Sequence, residues 1–353
     1  MNHQLDFFMG AVSPAGFYNC FPNLSQQTDL ALYLLKSGPG CGKSTLMRHL
    51  SAQAQGPIEH IHCSSDPDSL DAAILWKNHA AILDATAPHI MEPQYPGVKE
   101  HVVNLYDALD TQRLAAHQRD IPRLFDVCHD LHQCAGRYIH AAGSLIQENF
   151  QTADAFFDQH KTVRYAQHLA AREIPDSGHT SSEQIRFLSA VTLKGILVYR
   201  STVPKLAGRV VVFHDEYGAA SRLILKTLRE TALTKGHAII SCPCSMAPNE
   251  KLEHLFLPEL GLAFLTSNSW HGFDLPGQQN VHCTRFMDAE HLSQCRQRLR
   301  FNHRAAAELL DQASCLQQEA KQNHDQLEKL YQSGIDFTLV DAVRENLAHK
   351  MGL

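Results

Sequence analysis

The chain has 353 residues, 44% hydrophobic and 19% charged, which is ordinary for a globular protein and long enough for about two domains. Its formal net charge of −6 gives no overall basic field for nucleic acid, and no run of 18 apolar residues predicts a membrane span. Ten cysteines without a Cys-x-x-Cys pair, and a start at Met1 to Asp6 without a signal-peptide pattern, predict reduced thiols and a cytoplasmic location.

In chain order, Phe8 to Phe17 reads as an entry segment leading to a turn-rich stretch through Asn23. Leu30 to Leu35 then has the composition of a buried strand. Ser37, Gly38, Pro39, Gly40, Cys41, Gly42, Lys43, Ser44 and Thr45 follow, and Leu46, Leu50 and Ala54 recur with the period of one helix face. Strand, glycine-rich turn ending in Gly-Lys-Ser, then helix is the context of a phosphate-binding P-loop. Glycines let backbone N–H groups point inward at phosphate oxygens, and the helix N-terminus adds its positive end. Lys43 is expected to reach the β- and γ-phosphates and Ser44 to ligate Mg²⁺. The first position of the strict pattern is glycine; here it is Ser37, which would be strained at positive φ.

Gly56-Pro57 ends that helix, and Ile58 to His62 alternates like a strand. Cys63 to Asp71 is an acidic turn carrying Asp66 and Asp68, which reads as a helix start or as part of the nucleotide site. Ala80 to Asp84 is a short apolar run ending in an acid, as a Walker B strand does when its Asp holds the Mg²⁺ shell. Ala85 stands where many ATPases carry the water-activating residue, so either slow hydrolysis or a base from elsewhere is expected. Val102 to Leu105 is a weak strand, and Thr111 to Arg172 reads as a long helical hairpin. The adjacent His62 and Cys63, with Cys242 and Cys244 later, are weak evidence for a metal site.

The chain then restarts. Phe187 to Gly195 matches Phe8 to Gly16 at an offset of 179, Val210 to Phe213 matches the first strand, and His214 to Arg222 falls on Lys36 to Ser44 at an offset of 178. Leu252 and Leu265 fall on Leu70 and Leu83 at 182. In this register Gly218 falls on Gly40, Ser221 on Lys43, Arg222 on Ser44 and Thr266 on Asp84, so the second copy is expected to bind no nucleotide. A rival reading makes Val210 to Glu216 a Walker B strand serving the first loop, with Glu216 as the base. The arginines of the helical tracts, among them Arg137 and Arg300, read as solvated faces, with an arginine finger possible in principle but unassigned.

The expected architecture is α/β: two tandem P-loop NTPase-like three-layer domains, each with a helical hairpin. Residues 1–178 form the nucleotide-binding copy, with its hairpin at about 111–175, and residues 179–353 the degenerate copy, with a helical segment at about 288–353. Gly38 to Thr45, His62 to Asp71 and Ala81 to His89 together resemble an uncharacterised bacterial family of tandem P-loop ATPases. The resemblance implies ATP binding in the cytoplasm; in that family both copies tend to carry these motifs, whereas here only the first does. ATP with Mg²⁺ is the expected cofactor pair, Lys43 and Asp84 the catalytic residues, and Ser44 with Asp84 the metal contacts. No guanine-type Asn-Lys-x-Asp signature occurs. A small-molecule kinase is the first alternative. A nucleotide-sensing module whose hairpins dock a protein partner is the second.

Overall fold

The computed structural model describes residues 4–27 and 29–353; Met1 to His3, part of the N-terminal stretch read above, and Thr28 lie outside them. The first half runs β1 (Gln4–Phe7), β2 (Gly10–Ser13), β3 (Gly16–Asn19), β4 (Ala31–Lys36), α1 (Lys43–Gln53), β5 (Ile58–His62), β6 (Leu70–Leu75), β7 (Ala80–Asp84), β8 (Glu100–Asn104), α2 (Thr111–Ala115), α3 (Asp120–Asp154) and α4 (Gln159–Glu173). The second runs β9 (Ser182–Ile185), β10 (Ser189–Thr192), β11 (Gly195–Val198), α5 (Val203–Leu206), β12 (Arg209–His214), α6 (Ala219–Thr234), β13 (Ala238–Pro243), β14 (Leu252–Leu257), β15 (Leu262–Ser267), β16 (Gln279–His282), α7 (Ala289–Gln294), α8 (Arg296–Gln332) and α9 (Phe337–Met351).

Each half builds a six-stranded mixed sheet. The orders are β1-β5-β6-β7-β4-β8 and, read from the opposite edge, β9-β13-β14-β15-β12-β16. The two agree strand for strand, and in each the third strand alone runs antiparallel to its neighbours. Even the irregularity recurs, between Ile61 and His62 in β5 and between Cys242 and Pro243 in β13. The internal duplication is therefore a property of the fold. Each half also carries a small antiparallel hairpin, β2-β3 and β10-β11.

Three expectations are corrected here. The acidic turn does not start a helix: it links antiparallel β5 and β6, and Asp71 lies inside β6. The segment Leu-Asp-Ala-Ala-Ile-Leu is buried at every position, so it lacks the alternation that marks a half-exposed strand, and its alanines look helical. The Walker B rival fails because β12 belongs to the second sheet, between β15 and β16, while Lys43 follows β4 of the first.

The third correction concerns layers. Along β4, Leu32 and Leu34 enter one core while Tyr33 and Leu35 enter another. The first core is shared with Val212, Ile240, Phe256 and Leu265 of the second sheet. The second holds α1 together with Val340, Leu347 and Met351 of α9. The outer face of the second sheet packs on α6 and on Ala166, Leu169 and Ala170 of α4. Each sheet thus bears its long helices on one face only. The halves are not separate three-layer domains but an α/β/β/α stack with one common middle.

The helical tracts are not self-contained hairpins either. α4 covers the second half's sheet and α9 the first half's, so the halves exchange their last helices. α3 packs on α8, antiparallel, through a seam of Ala135, Ile139 and Ala142 against Ala306, Leu310 and Ala313. The crossings are pseudo-symmetric. Asp110 N–H donates to Gly334 (2.7 Å) and Asp336 to Ala108 (2.8 Å), while Asp288 donates to Phe156 and Asp158 to Phe286 (2.8 Å each). Phe8 and Phe187, equivalent in the repeat, donate to each other at 2.9 and 2.8 Å, which marks the pseudo-twofold axis. Beside it Arg186 bonds Glu59 at 2.7 Å, both side chains 2% exposed.

Candidate functional site

β1, β5, β7, β4 and β8 run in one direction, so their C-terminal ends share an edge, and the Gly38-to-Thr45 loop leaves that edge from β4. Gly40 (φ +68°) and Gly42 (φ +75°) supply the left-handed residues of the loop, a conformation costly for other residues. Ser37 is buried and its φ is not positive, so it occupies the first position without the strain considered above. Gly38 is needed for a different reason: a Cβ there would lie 2.8 Å from the Tyr331 ring of α8. A Cβ on Gly40 would meet the Glu328 carbonyl oxygen at 2.9 Å. The second half's long helix therefore presses on the first half's loop.

Gly42 caps α1, and Lys43 begins it. Lys43 Nζ donates to the Gly38 carbonyl (3.2 Å) and lies 3.3 Å from Asp84 Oδ2, both side chains largely buried. Asp84 ends β7, the strand beside β4, opposite Leu35. Its Oδ1 accepts from the Thr86 N–H at 3.0 Å and hydroxyl at 2.5 Å. Ser44 Oγ accepts the Leu70 N–H (2.9 Å), tying α1 to β6. Cys41 is buried, which pushes its thiol up; Pro39 lies in the loop between Gly38 and Gly40, and Thr45 is in the first turn of α1. The structure thus brings Gly38 to Ser44 and Asp84 together.

Asp66 and Asp68 have other partners. Asp66 accepts from Ser69 Oγ (2.8 Å) and faces Lys321 of α8 (3.5 Å). Asp68 is bound by Lys194 of the β10-β11 turn (2.6 Å), whose hydrogen bond holds its carboxyl below the usual range. Among the described residues no ion pair or hydrogen bond joins either to Lys43, Ser44 or Asp84. His62 is structural: its ring nitrogens meet the Pro67 carbonyl (2.8 Å) and Asp6 (3.0 Å).

Sequence reasoning left Asp71 and His89 without a settled role. Both are buried, with His89 Nε2 3.1 Å from Asp71 Oδ2. Burial disfavours the imidazolium, but the Asp71 carboxylate outweighs it and raises the His89 pKa. His271 stands at the matching offset of 182 and pairs with Glu253, the match of Asp71, at 3.3 Å; that coincidence was the available signal.

In the second half the loop is filled from within. Gly218 caps α6 in the conformation of Gly42 (φ +75°, ψ 14° against φ +75°, ψ 18°), so its structural match is Gly42 and not Gly40. The loop is shorter by two residues, while Leu228 keeps the packing register of Leu50. Asp215 is buried, and its carboxylate accepts the Gly218 and Ser221 N–H groups (3.1 and 2.7 Å). Lys251 lies against Gly218 and bonds Glu253 at 2.7 Å. Burial opposes both charges, but each partner holds the other: Glu253 stays well below the ordinary carboxylate range and Lys251 well above the ordinary ammonium range.

No protein-family model matches the chain, and no curated protein or solved structure matches it either.

Proposed function

We propose that the chain is an ATP-binding P-loop NTPase with a single site in its N-terminal half, which hydrolyses ATP slowly and couples nucleotide to movement of the halves. The observation that carries this reading is the pairing of Lys43 with Asp84 at 3.3 Å beneath a loop turned by two left-handed glycines at the start of a helix. The donor set fits a nucleotide with Mg²⁺. The loop offers backbone N–H groups to phosphate, Lys43 a cation, and Ser44 and Asp84 hard oxygens for the ion. Bound Mg²⁺ would supply charge neutralisation at the phosphates. Slow turnover follows from the residue after Asp84, which is the buried Ala85 and offers no base. Coupling follows from Tyr331 and Glu328 lying on the loop, since α8 belongs to the other half. The duplicated ATPases that the sequence resembles point the same way.

Calorimetry with ATP and Mg²⁺ tests the reading. One nucleotide per chain is expected, because Asp215 already fills the second loop. Lys43→Ala should weaken binding at least ~10-fold with the fold intact, and Asp84→Asn should slow Mg²⁺-dependent phosphate release more than it weakens binding. ATP affinity unchanged in Lys43→Ala, or two nucleotides per chain, overturns the assignment.

A further inference from the structure

Behind the loop, Cys63, Asp71 and His89 each turn one donor atom toward the same point, all three atoms within 4.8 Å of one another. Asp71 Oδ2 and His89 Nε2 are 3.1 Å apart, yet Asp71 Oδ2 is buried without a donor at hydrogen-bonding angle. Tetrahedral zinc with bonds near ~2.0 Å to N and O and ~2.3 Å to S places its ligand atoms roughly 3.3–3.6 Å apart. The O–N separation of 3.1 Å is slightly under that spacing and the sulfur lies within 4.8 Å of both atoms, so side-chain adjustment alone closes the three onto an ion.

The second half provides the internal comparison. Cys63 N–H donates to Ser69 O (3.1 Å) and Cys244 N–H to Lys251 O (2.9 Å), so Cys244 matches Cys63 and Lys251 matches Ser69. Glu253 is the second residue of β14 as Asp71 is of β6, and His271 follows β15 as His89 follows β7. The Cys–carboxylate–His set thus persists in both halves, including the one whose loop is filled. There the Lys251 ammonium sits on the carboxylate. Ser69 brings no such cation to Asp71; its hydroxyl bonds Asp66.

We propose that Cys63, Asp71 and His89 bind a thiophilic divalent cation of the Zn²⁺ class, for which Lys251 is the built-in substitute in the second half. A thiolate–imidazole–carboxylate set selects Zn²⁺ over Mg²⁺, so this site is distinct from the Ser44–Asp84 oxygens. It needs no nucleotide, so its test is independent of ATP binding.

The experiment is Co²⁺ titration of the full chain, stripped with chelator and reduced, in the absence of nucleotide. One equivalent should bind with a thiolate-to-cobalt charge-transfer band, and Zn²⁺ should displace it. Cys63→Ala should abolish the band while the Lys43→Ala chain keeps it, and Cys244→Ala should leave it unchanged. Because Cys63→Ala could misfold, X-ray absorption of the unmodified chain holding one Zn²⁺ gives a second reading, expected to show one sulfur among nitrogen and oxygen neighbours. No stoichiometric binding, a band that survives in folded Cys63→Ala, or a zinc shell without sulfur overturns the proposal.

Discussion

His60 sits in the middle of β5, 6% exposed, with neither ring nitrogen bonded. Burial drives its pKa down to about 4; Asp6 pulls it up, while His62 and Arg48 push it further down. In the unfolded chain the group titrates near ~6.5. Between these values the unfolded state holds a proton that the folded state does not. Stability therefore falls as pH drops from about 6.5 toward about 4, by on the order of 3 kcal/mol from this residue. His60→Leu should remove that share. Urea midpoints at pH 7 and pH 5 should differ clearly less in the variant than in the unmodified chain, and equal differences would contradict the assignment. In the sequence His60 was one of several alternating residues, and nothing there distinguished it from His62, two residues on, which finds Asp6 and Pro67. That Lys43 and Asp84 lie together was legible because the loop and the neighbouring strand each have a local pattern. Asp66 and Asp68 were not, because the lysines that engage them, Lys194 and Lys321, come from the other half.

The two glycine turns show how much of a site lies in one element. Both deliver a helix start through a left-handed glycine. In the first the helix opens on Lys43; in the second the Asp215 carboxylate takes the Gly218 and Ser221 N–H groups. Removing that carboxylate leaves two N–H groups without partners and Lys251 with one fewer counter-charge. Asp215→Ala should cost ~1–3 kcal/mol in urea denaturation. No loss of stability would mean that the carboxylate is not satisfying the turn. The duplication was legible at the strands, where hydrophobic pattern keeps register. It blurred in this loop, where two residues are missing before the cap but the helix keeps its packing face. Sequence comparison therefore paired Gly218 with Gly40, though its conformation is that of Gly42. β6 and β14 were illegible for the opposite reason: buried on both faces, they carry no alternation.

For the whole molecule, the decisive feature is that α4 and α9 each cover the other half's sheet. The α/β class and the duplication could be read from the chain, but the layering and this exchange could not, since the same helices and linkers suit self-packing equally well. It predicts an outcome for a cut chain. A protease site inserted between Pro175 and Ser181, where the chain passes from α4 to β9, should yield two pieces that stay associated through a shared core, because each holds a helix that the other needs. Sedimentation should find them together, with a thermal midpoint that now rises with protein concentration. Pieces that separate and remain folded alone would refute the exchange. Two identical half-chains arranged in this way would form a closed pair with no face left for a third. Such a pair would be bound by its own symmetry, for any residue changed in one loop would change in both. Joined into one polypeptide, the halves are free to differ, and so one turn opens its helix with Lys43 while its twin carries Asp215.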